Sequence, residues 1–393
     1  MLKRLPLAVI MVALAGCASL QPAEPTGHRN TPHGTADAWS RPTATATRAR
    51  PTATAVSPRW SVVGNSGSGG SLVDVVATTA HDAWAVGYHI EVDPSIMRWS
   101  GGRWRDVRAP EGAKPAAAVV ATSPGEVWVF DHTAHAWRWN GTGWTSMGGQ
   151  DGRWVSSATA SGPDDVWVAG STTSEPRRAF VGRWSGGRWS ESELPAGVST
   201  IYGISATSPD DVWAITQAAV LHWDGRAWTA LTMGDPGFPA LGVPGPPWPG
   251  DGTPPLSLRD VDAVSPNEVW AVGTVTTGTG AAEPVALRFD GDRWTALDVP
   301  AHPDHAGRTI PAAFSAVTAD GRGGFWAAAV HPVSILHYAR DGGWTDEGIS
   351  PKPGADPIAT ALARVPGGDR VFAVGGNPGY DEDGSGWIWA RSP

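Results

Sequence analysis

The stretch SPDDVWAIT, residues 208–216, recurs along the chain with small changes: AHDAWAVGY at 80–88, SPGEVWVFD at 123–131, GPDDVWVAG at 162–170 and SPNEVWAVG at 265–273. Its tryptophan falls at 84, 128, 167, 213, 270 and 326, and Phe372 in RVFAVGG takes a seventh place. A second tryptophan follows each of the first six, at 104, 144, 189, 228, 294 and 344. The first marks lie roughly 40 to 57 residues apart, the period of one four-stranded propeller blade.

Each unit reads as four short strands. In the fourth, IYGISA (201–206) is the first strand, with small residues where strands crowd towards an axis. TSPDD is a tight turn, VWAIT (212–216) the second strand, AVLHW (219–223) the third, and RAWTAL (226–231) the fourth after an Asp-Gly hairpin. No segment carries a 3.6-residue apolar period, so the expected class is all-β with very little helix. The last unit supplies strands at 358–365, 370–376 and 386–393 and then stops, while SPRWSVVG at 57–64 has the form of the missing outer strand. The expected fold is therefore a seven-bladed β-propeller of four-stranded antiparallel blades, its ring closed by the N-terminal strand completing the last blade. Six or eight blades stay open, because the Pro-rich loop 233–257 could hide an irregular element.

Adjacent blades pack face to face, and a large flat side chain at constant height fills each wedge, which makes the repeated tryptophans structural. The Asp pairs 164–165 and 210–211 resemble paired catalytic carboxylates, but their repetition in a tight turn points to turn capping.

The amino terminus departs from this pattern. Lys3 and Arg4 precede an apolar run from Leu5 to Ala15, too short to span a bilayer, and then LAGC at 14–17. The segment resembles a bacterial lipoprotein signal; the resemblance implies cleavage before Cys17, acylation of its thiol and a chain tethered to the cell membrane outside the cytoplasm. Cys17 is the only cysteine, which excludes an internal disulfide, a CxxC zinc site and a redox pair. RPTATATRARPTATA at 41–55 lacks apolar periodicity and buries too little to offset its ordering entropy. The expected organisation is a signal peptide at 1–16, a flexible Pro/Thr/Ala-rich stalk at 17–56 and the propeller at 57–393. A net charge of −9 argues against a nucleic-acid or anionic-membrane surface.

The D-V-W-A-V-G and W-D-G-x-x-W phrases are similar to those of bacterial exported β-propellers with tryptophan-rich repeats, distant relatives of the kelch, Asp-box and photosystem-assembly-factor propellers. The resemblance covers about 57 to 393 and implies the fold; the functions of such propellers are diverse. WDGRAWT has only part of the Asp-box motif, and a kelch-like Gly-Gly pair stands clearly only at 375–376.

Chemistry is expected on the long loops of one face of the ring. The candidates for ligand binding are His89 and Asp93 in YHIEVDP, His132 and His135 in DHTAH, Trp248 in the Pro/Gly insertion, His302 and His305 in AHPDHAGR, and Tyr380 in GYDEDGSG. The His pairs lack a Cys partner and the acidic run 381–383 lacks the calcium-loop pattern, so no metal and no cofactor are expected. No G-x-S-x-G elbow, H-E-x-x-H or phosphate loop is present. The expected function is a tethered, monomeric, non-catalytic propeller binding a protein or glycan through its long-loop face. The alternatives are an exported propeller-fold glycan hydrolase or lyase, sialidase-like in site, and an envelope assembly factor.

Overall fold

The computed structural model describes residues 50–68, 70–89, 93–243, 254–277, 282–300, 313–330, 334–349, 358–376 and 385–391, and the backbone of 302–303 and 309–310. Among them no helix occurs, and seven four-stranded antiparallel sheets stand around an axis. From the axis outward, blade 1 is Gly70–Thr79, Asp82–His89, Pro94–Ser100 and Arg103–Asp106. Blade 2 is Ala116–Ser123, Glu126–Asp131, His135–Trp139 and Trp144–Gly149, and blade 3 is Arg153–Gly162, Asp165–Thr172, Ala179–Ser185 and Arg188–Glu191. Blade 4 is Gly203–Ser208, Asp211–Ile215, Ala219–Trp223 and Trp228–Thr232, and blade 5 is Leu256–Ser265, Glu268–Thr276, Ala282–Phe289 and Trp294–Ala296. Blade 6 is Phe314–Ala319, Phe325–Ala329, Ser334–Tyr338 and Trp344–Asp346.

Blade 7 takes Ile358–Arg364, Val371–Gly376 and Ser385–Arg391 from the end of the chain and Trp60–Ser68 from its beginning. The two distant strands run antiparallel with Trp60 opposite Arg391, Val62 opposite Trp389 and Gly64 opposite Ile388. The expected closure is thus the one observed. Upstream of it, inside the stretch expected as stalk, Thr54–Ala55 adds a short parallel strand beside Thr345–Asp346 of blade 6.

The seams between blades explain the repeated tryptophans. The second-strand aromatic of one blade packs against aromatics on the third and fourth strands of the next. Trp84 meets Trp139 and Trp144 at 5.7 and 5.9 Å, Trp128 meets Trp184 and Trp189 at 5.5 and 6.2 Å, and Trp167 meets Trp223 and Trp228 at 5.9 and 6.1 Å. Trp213 meets Phe289 and Trp294 in the same way, and Phe372 closes the circle against Trp99 and Trp104. Each buried indole removes enough apolar area for roughly 4–6 kcal/mol at most, so the seams carry much of the core.

The second strands of most blades carry a further device. Asp82 accepts from the Trp84 indole at 3.2 Å and from Arg98 on the third strand at 2.7 Å. Glu126, Trp128 and Arg138 repeat the arrangement in blade 2, as do Asp165, Trp167 and Arg183 in blade 3. In blades 4 and 6 an imidazole takes the place of the guanidinium: His222 reaches Asp211 at 2.7 Å and His337 reaches Asp320 at 3.0 Å, each ring stacked on its tryptophan. Blade 7 has Arg370, Phe372 and Ala390 at the three places, so carboxylate, indole and cation are absent together. The second Asp of each DD pair is therefore a cross-strand anchor, whereas Asp164, its neighbour, is 74% exposed and reaches Arg138 only at 3.4 Å.

The glycine of the repeated phrase has a steric cause. A Cβ on Gly87, Gly170, Gly273 or Gly375 would stand 1.8–2.2 Å from a backbone oxygen of the innermost strand, which bulges towards it there.

Around the axis, innermost strands are joined by side chains. Asp74 accepts from Val119 N, Ser157 from Ile204 N, Thr159 from Ala206 N, Ser205 from Ala263 N, Asp260 from Val317 N and Asp262 from Ala319 N. Ser315 donates to the Ala359 carbonyl and Thr360 to that of Leu72. Blade 2 offers only Ala and Val from Ala116 to Ala121, so its innermost strand has no polar side chain there with which to hold blade 3.

Candidate functional site

Above that seam, on the face bearing the connections between second and third strands and between blades, lies a cleft of about 440 Å³. Its walls come from the 132–135 loop of blade 2, the 149–154 crossing into blade 3, and Thr173.

The 132–135 loop is built on Asp131. Here V-W-V-F-D places an aspartate where blades 1, 3 and 5 have a glycine three residues after the tryptophan and blades 4 and 6 have Thr216 and Ala329. The Asp131 side chain, only 2% exposed, accepts at Oδ1 from the amides of Thr133 and His135 and from the Thr133 hydroxyl, and at Oδ2 from Lys114 N. A buried carboxylate with that many donors is well solvated by protein and fixes the loop it serves. The turn carries Ala134 at φ 62°, a left-handed conformation that a non-glycine residue holds only when its surroundings over-determine it.

The two imidazoles expected as candidates meet in this cleft. Nδ1 of His132 lies 3.2 Å from the Pro115 carbonyl. A carbonyl only accepts, so Nδ1 carries the hydrogen and, in the neutral ring, Nε2 is an acceptor. Nε2 of His135 lies 2.8 Å from the Ser146 hydroxyl, and its ring packs on Trp137 at 4.4 Å. Opposite stands Trp154, half-buried, its ring 5.8 Å from that of His132. Asp151 and Thr133 are exposed at the mouth.

Arg153 forms the boundary with a second hollow of about 380 Å³, lined also by Thr172, Ser174, Glu175, Pro176, Arg178 and Glu191. Its Nη2 donates to Glu191 at 2.8 Å, and its guanidinium lies over the Phe180 ring. The cleft thus combines an indole face, two oriented imidazoles, hydroxyls and a carboxylate, and its single arginine is already paired. It does not gather the three arginines that a sialidase-like site requires.

The remaining candidates fall elsewhere. His89 ends the second strand of blade 1, its amide donating to the Asp93 carbonyl at 2.9 Å; neither residue lines the cleft. His302 lies in a two-residue strand paired with Thr309–Ile310 between blades 5 and 6. Cys17, Trp248, His305, Tyr380 and the acidic run 381–383 lie outside the described residues. Among the described residues no cluster of three or more His, Cys, Asp or Glu is placed to hold a metal. Trp154, Asp151 and Thr173 complete the cleft without having been singled out from the sequence; the signal that marks the place is the Gly-to-Asp departure at 131.

No family model matches the chain, and no curated protein matches it. Solved structures do. A YCF48 bound to D1 peptide superposes with a TM-score of 0.57 at 11% identity, over 87% of this chain and 100% of the other. A catalytically inactive variant of virginiamycin B lyase from Staphylococcus aureus with quinupristin gives 0.59 at 14% identity, over 84% and 98%. The RRP9 WD40 repeats give 0.60 at 12% identity, over 86% and 99%. At such identities the likeness establishes a shared β-propeller fold and nothing narrower.

Proposed function

We propose that the protein is a surface-tethered, non-catalytic propeller that binds a protein or glycan partner through its long-loop face. The observation that carries this reading is the cleft between blades 2 and 3, where Asp131 takes the place that is glycine in blades 1, 3 and 5 and its carboxylate fixes the loop bearing His132 and His135, opposite Trp154. A departure from a repeating scaffold that creates a shaped, polar and aromatic hollow is the usual form of a binding site on a rigid frame. That solved propellers of this fold include YCF48 bound to D1 peptide fits a binding role in general. The tether rests on the lipoprotein-like LAGC ending in Cys17.

The test is a pull-down from envelope extracts and a glycan-array screen with the full chain, each repeated with Trp154→Ala. Capture that disappears in the variant supports the reading; capture unchanged by it moves the site elsewhere on the ring. For the tether, Cys17→Ser should release the protein from the membrane fraction, and retention of the variant there would refute lipid anchoring.

A further inference from the structure

We infer that the cleft between blades 2 and 3 is a carbohydrate site selective for uncharged sugars. This rests on the proposal that the long-loop face binds, and narrows it to one ligand chemistry.

The first ground is what the main chain around the cleft no longer offers. A peptide laid on a protein is recognised chiefly through backbone pairing with free amides and carbonyls at an edge. Here the amides are spent: His132 N on the Pro115 carbonyl, Ala134 N on the Asp131 carbonyl, Gln150 N on the Ala134 carbonyl, Val155 N on the His132 carbonyl and Thr173 N on the Gly152 carbonyl. The amides of Thr133 and His135 are taken by the Asp131 carboxylate. On the 132–135 loop, recognition therefore falls mainly to side chains.

The second ground is which side chains remain. Trp154 presents part of a flat indole face, the partner that suits the ring of C–H groups on one side of a pyranose. Around it stand acceptors for the hydrogens of sugar hydroxyls: Nε2 of the neutral His132 ring, the Thr133 oxygen, whose own hydrogen goes to Asp131, and the Asp151 carboxylate. A carboxylate accepts from two neighbouring hydroxyls at once, so Asp151 suits a vicinal diol. Buried sugar hydroxyls must find such partners, since an unmade hydrogen bond costs more than a made one contributes.

The third ground is charge. Arg153 is the cleft's only permanent cation, and it is committed to Glu191. Asp151 stands exposed at the mouth and repels anions. Sulfated, phosphorylated and sialylated ligands therefore meet net repulsion, and uncharged sugars do not. A volume of about 440 Å³ lies at the small end of ligand sites, enough for a short segment of a chain and not for a folded partner.

The experiment is a glycan-array screen of the full chain followed by titration calorimetry with the strongest neutral oligosaccharide. It compares wild type, Trp154→Ala and Asp151→Ala, with thermal unfolding recorded for each. Asp151 is exposed on a loop, so Asp151→Ala keeps the test informative should Trp154→Ala fail to fold. The expected result is binding of neutral glycans, weakened about tenfold or more by either substitution at unchanged unfolding temperature. Neutral-glycan binding indifferent to both substitutions overturns the assignment of the cleft. Binding of charged glycans alone, or of a protein whose capture depends on Trp154, overturns the sugar selectivity and leaves the binding role intact. No ligand of either kind overturns both.

Discussion

The Glu347 carboxylate receives Nε and Nη2 of Arg391, each at 2.7 Å, and the indole Nε1 of Trp60 at 3.1 Å. Glu347 is 1% exposed and Arg391 8%. One anion therefore joins the end of blade 6, the third strand of blade 7 and the first strand of the ring. Replacing it by Gln leaves the guanidinium buried without a counter-charge. Glu347→Gln should cost about 3–5 kcal/mol, read as a shift of the denaturant midpoint, and the double variant Glu347→Gln with Arg391→Met should recover part of that loss. A loss under about 1 kcal/mol would show that the pair is not what secures the closure.

The neighbouring aspartates of GPDDVW separate by the same logic. Asp165 serves Arg183 at 2.5 Å, the Trp167 indole at 3.1 Å and the Ser161 hydroxyl. Asp165→Asn should destabilise by about 2–4 kcal/mol. Asp164→Asn, on an exposed side chain, should stay within about 0.5 kcal/mol. Equal effects in equilibrium unfolding would contradict the anchor role.

The pH dependence follows from the axial carboxylates. Asp74 and Asp260 sit half-buried on the innermost strands and are surrounded by protein, and this desolvation pushes them up to about 7 and about 8, against the lowering effect of the backbone amides they accept from. The neighbouring charge of Asp262 and, after it, that of Asp74 also raise Asp260. Their pKa values in the folded state exceed the unfolded value of 3.8, so folding takes up protons between these limits. Their contribution is complete below about pH 4, declines as pH rises to about 8 and is flat beyond, at up to about 1.4 kcal/mol per pH unit for each group. Denaturation at pH 5 and pH 8.5 should show this decline, and Asp74→Asn with Asp260→Asn should flatten it; a variant with the wild-type slope would remove these groups as its source.

Two glycines offer a matched pair. A Cβ on Gly273 would meet Ser257 O at 2.2 Å and Leu258 Cα at 2.7 Å, whereas one on Gly162 meets nothing within 4 Å. Gly273→Ala should cost about 1–3 kcal/mol because backbone has to move. Gly162→Ala should be neutral or stabilising by about 0.4–1 kcal/mol, since it restricts only the unfolded chain. The thermal midpoints of the two variants decide the matter.

The fold was legible because two signals are redundant: a blade-length period and a missing outer strand at one end matched by a surplus one at the other. A third signal stands beside them and is easily passed over. Arg98-Trp99, Arg138-Trp139, Arg183-Trp184, His222-Trp223, Arg288-Phe289 and His337-Tyr338 mark every third strand from blade 1 to blade 6 with an Arg or His followed by an aromatic. The Arg or His faces its own blade's carboxylate in most of them and the aromatic faces the preceding blade, a division of labour that only the alternation of strand faces reveals. The site was half legible. His132 and His135 stand out as residue types, but Asp131 draws notice only as a breach of the repeat, and Trp154 looks like another structural tryptophan until the crossing between blades is placed.

The strand Trp60–Ser68 has a consequence for how the molecule is made. It precedes every other strand of the seven four-stranded blades in the chain, yet its partner Ser385–Arg391 follows all of them. Until the last blade forms that strand has no sheet to join, and the two terminal seams of the array stay open to solvent with their indoles uncovered. Completion waits for the emergence of residues 385–391 and comes in a single long-range pairing; until then the nascent chain is at its most prone to aggregate.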